Sequence, residues 1–193
     1  MESFSNTTVL ERIHNVGGSV SISFCLFAYF SHNSDGGCIN VLNSPRVIIE
    51  HTKGYSIYAL GDGSFMSAAY SNTTFISNSL EQLTNTMTGL ALYQLISWAT
   101  TNYSEIIHSK GADEIIYIFT ISTNSIQGCN FSHVDITYLN AFYFRANPLI
   151  SCYLSNITAG NLFVLPVKED GSFVEDCIAT NILGVRKDSC LIS

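Results

Sequence analysis

The side chains with most to offer chemically in this chain are six cysteines, five histidines and the asparagines of five Asn-X-Ser/Thr tripeptides. Cys25, Cys38, Cys129, Cys152, Cys177 and Cys190 form three sequential couples. An even count of this kind suits a disulfide framework in a secreted chain. Neighbour pairing joins Cys25 to Cys38, Cys129 to Cys152 and Cys177 to Cys190, one connectivity among many. In a reducing compartment the same residues are small buried apolar groups. The tripeptides begin at Asn6, Asn72, Asn102, Asn130 and Asn156 and match the N-glycosylation pattern. Four fall in predicted loops or strand ends, and Asn102 falls in a predicted helix. The last four residues, Cys190-Leu191-Ile192-Ser193, match a prenylation box with Cys190 as lipid acceptor.

Catalytic chemistry is poorly represented. His14, His32, His51, His108 and His133 never adopt a metal-ligand spacing, so no metal site is expected. No phosphate loop, dinucleotide fingerprint or nucleophile elbow occurs, and no cofactor is expected. Gly61-Asp62-Gly63-Ser64 resembles the loop that opens the cysteine-protease site of ovarian-tumour deubiquitinases. Phe65 stands where the nucleophile would be, and the stretch reads as a hairpin turn. Asp62, Asp113, Glu114 and the histidines are the groups to inspect for convergence in the fold.

Charge is scarce. Lys and Arg number 8 and Asp and Glu 15, which makes 12% of the chain against about a quarter in soluble domains. Between Gly63 and Ser104 the only charged side chain is Glu81, and between Ile115 and Val167 there are only Asp135 and Arg145. Asn, Ser, Thr and Tyr keep these tracts polar. A net charge of −7 without a basic cluster counts against nucleic acid as a partner. No apolar run reaches the roughly 20 residues of a membrane helix, and the opening Met1-Glu2-Ser3-Phe4-Ser5 lacks a signal-peptide pattern.

The elements that would position these groups read as one domain over residues 1–193, mainly β or α+β. Short β-branched and aromatic runs at Arg46 to His51, Tyr55 to Leu60 and Ser64 to Tyr70, split by Gly-containing turns, predict an antiparallel, hairpin-linked meander. Leu80, Leu83, Met87, Leu90 and Ala91 fall at helical spacing, continued by Leu95, Trp98 or Ala99, and Ile106, with a capping box at Ser79 and Gln82 and a stop at His108 to Gly111. They predict one substantial helix over about 79–110. Short strands return from Ile136 to Ile178, with a turn at Lys168-Glu169-Asp170-Gly171. No internal repeat is apparent.

Both ends of the chain resemble coronavirus spike N-terminal domains. Phe4-Ser5-Asn6-Thr7-Thr8 with Ile13-His14 and Gly17 is similar to a glycosylated stretch early in that family. Phe163-Val164-Leu165, Glu169-Asp170-Gly171-Ser172-Phe173, Asp176-Cys177 and Cys190 are similar to its disulfide-closed end. The resemblance implies a galectin-like β-sandwich on a virion surface, attachment to a sugar or protein receptor, a Cys177–Cys190 pair and glycan on Asn6.

Two functions follow as expectations. The first is a non-enzymatic recognition or attachment domain of a viral or secreted glycoprotein, extracellular or on a virion, with a host protein or glycan as partner. The second is a cytosolic adaptor held at a membrane by a lipid on Cys190.

Overall fold

A computed structural model describes residues 1–95, 98–119, 125–137, 140–144, 148–164 and 173–185. Among them every strand pairing is parallel, and the strands fall into sheets of eight and fifteen. Each strand pairs with the equivalent strand one turn of chain earlier or later. Val20 lies opposite Val47, Val47 opposite Thr73 and Asn72 opposite Trp98, steps of 27, 26 and 26 residues. Further along, Thr100 meets Ser125 and Ile126 meets Leu149, steps of 25 and 23. The chain is a β-solenoid: a coil of stacked rungs with three faces, its core running along the axis.

The eight-stranded sheet is the first face and includes Val20–Ser23, Val47–Glu50, Asn72–Ile76 and Trp98–Asn102. The second face includes Lys53–Ala59, Ser79–Asn85, Glu105–Gly111 and Asn130–Ile136. The third includes Ile39–Leu42, Met66–Ala69, Leu92–Leu95 and Ile116–Phe119. Faces two and three belong to one sheet because the long strand Tyr153–Val164 turns the corner between them.

This architecture corrects the expected antiparallel meander, the helix over 79–110 and the galectin-like sandwich. The segment Ser79 to Gly111 is four strands, Ser79–Asn85, Leu92–Leu95, Trp98–Asn102 and Glu105–Gly111. Its helical spacing has a specific origin. Gln82 adopts φ +55°, which reverses the pleat inside the strand. Leu80 and Leu83, on either side, therefore both point inward although they are three residues apart. Ile106 and Ser109 repeat this around His108, and Phe131 and Val134 around His133.

The turns also differ from hairpins. Gly61-Asp62-Gly63 joins strands that do not pair with each other, since Lys53–Ala59 pairs with Ser79–Asn85 and Met66–Ala69 with Leu92–Leu95. The expectation of no internal repeat is overturned with it. Asp35-Gly36, Asp62-Gly63 and Thr88-Gly89 are one turn, repeated on successive rungs, with backbone bonds from Gly36 N–H to Asp62 O and from Gly63 N–H to Thr88 O.

The core is filled by ladders of like residues. Ile22, Ile49 and Phe75 stack on the first face and Ile39, Met66 and Leu92 on the third, all buried. Phe65, in the position a protease nucleophile would take, is fully buried with its ring edge-on to Phe27 at 5.4 Å. Burial of ladders like these drives folding of the whole coil.

Candidate functional site

The sequence-predicted residues are distributed over the corners and faces of this prism. At the corner between faces one and two, Cys25, Thr52, Asn78, Ser104, Cys129, Cys152 and Cys177 form one buried column. Each follows a residue with positive φ: Phe24, His51, Ser77, Tyr103, Gly128, Ser151 and Asp176. That conformation aims a backbone N–H along the column, where the next rung's side chain accepts it. Asn78 Oδ1 accepts from Thr52 N–H at 2.9 Å, Ser104 Oγ from Asn78 N–H at 3.1 Å, and Cys177 Sγ from Cys152 N–H at 3.4 Å.

Disulfides are therefore the wrong reading of the cysteines. Cys25, Cys38, Cys129, Cys152 and Cys177 are all buried thiols, while Cys190 lies outside the described residues. Cys25 is in the corner column and Cys38 opens the third face, so this neighbour couple is separated by the fold. Cys129 and Cys152 occupy equivalent places in successive rungs. Cys152 is held as a thiol by donating to Cys129 and by burial, which push it up to about 12, and the same hydrogen bond lowers Cys129. Burial pushes the Cys38 thiol well up. The column caps backbone groups and has no free nucleophile at a surface. The expected disulfide framework is thereby corrected for the five described cysteines.

The histidines are spread over the coil, and His108 meets an acid in Glu81. His51 stacks on Phe24 at 4.9 Å, and His14 is exposed on face three. His32 hydrogen-bonds Ser34 at 2.9 Å, with its pKa lowered by burial and by Arg12. His108 and His133 are neighbours at the bend of face two, ring centroids 4.9 Å apart, with Glu81 at 3.3 Å from His108. Among the described residues no cluster of His, Cys, Asp and Glu suits a metal. Asp35 Oδ1 accepts from Asp62 N–H, and Asp62 Oδ1 from Thr88 N–H, both at 2.9 Å. Burial raises the Asp62 pKa, and Asp35 adds to the rise. These carboxylates tie the repeated turns together.

The tripeptide asparagines are scattered. Asn6 is exposed at the first corner, and Asn156 is exposed at the face-two bend with Nδ2 at 3.3 Å from His133 Nε2. Asn102 and Asn130 are half-buried on strands. Asn72 opens a face-one strand beside Trp98.

That last position belongs to a site which sequence reasoning missed. At the corner between faces three and one, Asn43, Ser44, Pro45, Tyr70, Asn72 and Trp98 line an open groove of about 360 Å³. Asn43 and Tyr70 stand on one wall, in register at positive φ, and Pro45, Asn72 and Trp98 on the other. Ser44 is the floor, buried, its N–H bonded to Ser71 Oγ. Tyr70 and Trp98 are 51% and 52% exposed, in contrast to the buried rings of Phe27, Phe65, Phe75 and Phe131. Trp98 belongs to the helical stripe in the sequence reading; the structure turns it outward. The signal that finds the groove is the repeat: Asn72 and Trp98 are one rung apart. Comparison with protein-family models and with curated proteins finds no match for this chain.

Proposed function

We propose that this chain is a non-enzymatic recognition module, a stiff solenoid whose corner groove binds an uncharged ligand. The observation that carries the reading is the placement of Tyr70 and Trp98. Two half-exposed rings flank a groove whose other lining groups are amide, hydroxyl and proline, with no acidic or basic side chain among them. Exposed aromatic rings with nearby hydrogen-bonding groups are the usual composition of binding surfaces. Parallel ladders on every face hold the groove's walls in fixed register, so ordering them on binding costs little. The carboxylates nearest to a catalytic arrangement, Asp35 and Asp62, accept backbone N–H groups in turns, a structural occupation.

The test is a binding screen of purified protein against immobilised linear peptides and oligosaccharides, run beside the Tyr70→Ala/Trp98→Ala double variant. A panel member retained by the native chain, released by the double variant and recovered unaltered in mass is the expected result. Retention that ignores both rings, or cleavage of the retained compound, defeats the reading.

A further inference from the structure

Resting on the recognition reading, we propose that the groove between Tyr70 and Trp98 takes a neutral saccharide, laid along the solenoid edge across three rungs. A pyranose ring has one face of C–H groups and a rim of hydroxyls. It therefore needs a flat apolar surface and, around it, groups that both donate and accept hydrogen bonds without charge.

The groove supplies both. Tyr70 and Trp98 come from adjacent rungs, and neither ring is packed against another aromatic among the described residues. The side-chain amides of Asn43 and Asn72 also have no protein partner among the described residues, and each offers a carbonyl acceptor and two N–H donors. Asn43, Tyr70 and Trp98 stand on successive rungs, which at about 4.8 Å per rung makes a track of about 10 Å. A track of that kind suits a chain of sugar rings better than a compact metabolite.

Charge argues for neutrality. The six lining residues include no Asp, Glu, Lys, Arg or His, and the molecule carries a net charge of −7, which disfavours sulfated or uronic-acid polymers. The same composition recurs at a second groove of about 320 Å³, at the bend of face two, where Tyr29 and Tyr58 accompany Ser31, Ser56, Gln82 and Thr84. Tyr29 is 78% exposed and meets Tyr55 edge-on at 5.7 Å. One corner of the prism and the bend of face two thus carry aromatic rings with amide and hydroxyl neighbours and no charged lining residue.

Protein made in a bacterial host, which leaves the Asn72 side chain bare, is titrated calorimetrically with neutral gluco-, manno-, galacto- and chito-oligosaccharides. Galacturonate oligomers and any peptide retained in the screen serve as comparisons. Trp98 is the only tryptophan, so its emission reports occupancy of the groove directly. The expected result is saturable binding of at least one neutral oligosaccharide with a change in Trp98 emission. Tyr70→Ala and Trp98→Ala should each weaken it about tenfold or more. Affinity should also be constant between about 50 and 500 mM salt. Both substitutions are at exposed positions, and an unchanged circular dichroism spectrum confirms folding. Uptake of galacturonate alone, with salt dependence, overturns the proposal. So does neutral-sugar binding that is indifferent to both rings. A peptide bound through Tyr70 and Trp98 overturns the saccharide while leaving the recognition module standing, and no ring-dependent ligand of any kind removes both.

Discussion

Asn78 joins two rungs through one amide: its Oδ1 accepts the backbone N–H of Thr52 at 2.9 Å and its Nδ2 donates to the carbonyl of Ile49 at 2.9 Å. Both bonds are buried, and Asn78 is 2% exposed. Removing the amide leaves a buried donor and a buried acceptor without partners. Asn78→Ala should therefore destabilise the chain by about 1–3 kcal/mol, read as a lower urea midpoint with an unchanged slope. Asn78→Thr, which restores the hydroxyl found at position 52, should recover part of the loss. An Asn78→Ala midpoint equal to the native one would remove the corner ladder from the list of stabilising features.

Gly63 and Gly17 separate two costs of a side chain. Both have positive φ, +69° and +75°. A Cβ on Gly63 would lie 2.1 Å from the carbonyl oxygen of Met66, whereas one on Gly17 meets nothing within 4 Å. Gly17→Ala should cost only the left-handed backbone term of about 1–2 kcal/mol. Gly63→Ala should cost distinctly more, since backbone must move. Thermal melts of the two variants, compared with the native chain, check the order; equal losses would contradict the stacked turn.

Gln82 distinguishes the solenoid from the helix suggested by sequence. In a helix, Gln82→Gly should lower stability by about 1 kcal/mol. At φ +55° glycine relieves a strained residue, so the variant should be neutral or gain up to about 1 kcal/mol. A clear loss in urea unfolding would favour the helix.

Asp62 predicts a pH effect with a definite sign. Its folded pKa is raised above the ordinary 3.8, chiefly by burial, so the folded state holds this proton more tightly than the unfolded chain. Stability from this group is greatest when it is protonated and falls as pH rises from about 3.8 through the folded pKa. Asp62→Asn keeps an oxygen for Thr88 N–H and cannot ionise. The stability difference between variant and native protein should shift in favour of the variant across that interval and level off above it. A constant difference from pH 3 upward would refute the assignment.

The thiols give a chemical test of the corner column. Cys25, Cys38, Cys129, Cys152 and Cys177 should resist alkylation in the folded protein and all label in denaturant without reductant. Mass mapping of the labelled peptides reads each site, and any of the five found protected as a disulfide would contradict the column.

Strand positions in the first half were legible in the sequence, and their partners were not. The runs at 46–51, 55–60 and 64–70 overlap observed strands at Val47–Glu50, Lys53–Ala59 and Met66–Ala69. Short Gly-rich turns between strands suggest hairpins, but three such turns per rung also close a solenoid. What decides between them is recurrence at 23–27 residues, visible in Asp35-Gly36, Asp62-Gly63 and Thr88-Gly89. Identity along the ladders is weak, because the column at one corner accepts Cys, Thr, Asn and Ser alike. Each needs only a small side chain that can hydrogen-bond a neighbouring rung. The same tolerance made the cysteines look like disulfide couples. The groove escaped notice because Trp98 falls on the helical stripe produced by pleat reversals at Gln82 and His108.

Stacking in register also makes distance along the molecule discrete. Asn43, Tyr70 and Trp98 can be brought closer or moved apart only by whole steps of about 4.8 Å, since a partial step would break every ladder at once. Joining Asn78 directly to Glu105 removes one such step, and Trp98 with it, because Ser79 and Glu105 already occupy the same place in successive rungs. The length of the coil, and of any track of groups along its edge, then changes by integers, as graduations do on a scale.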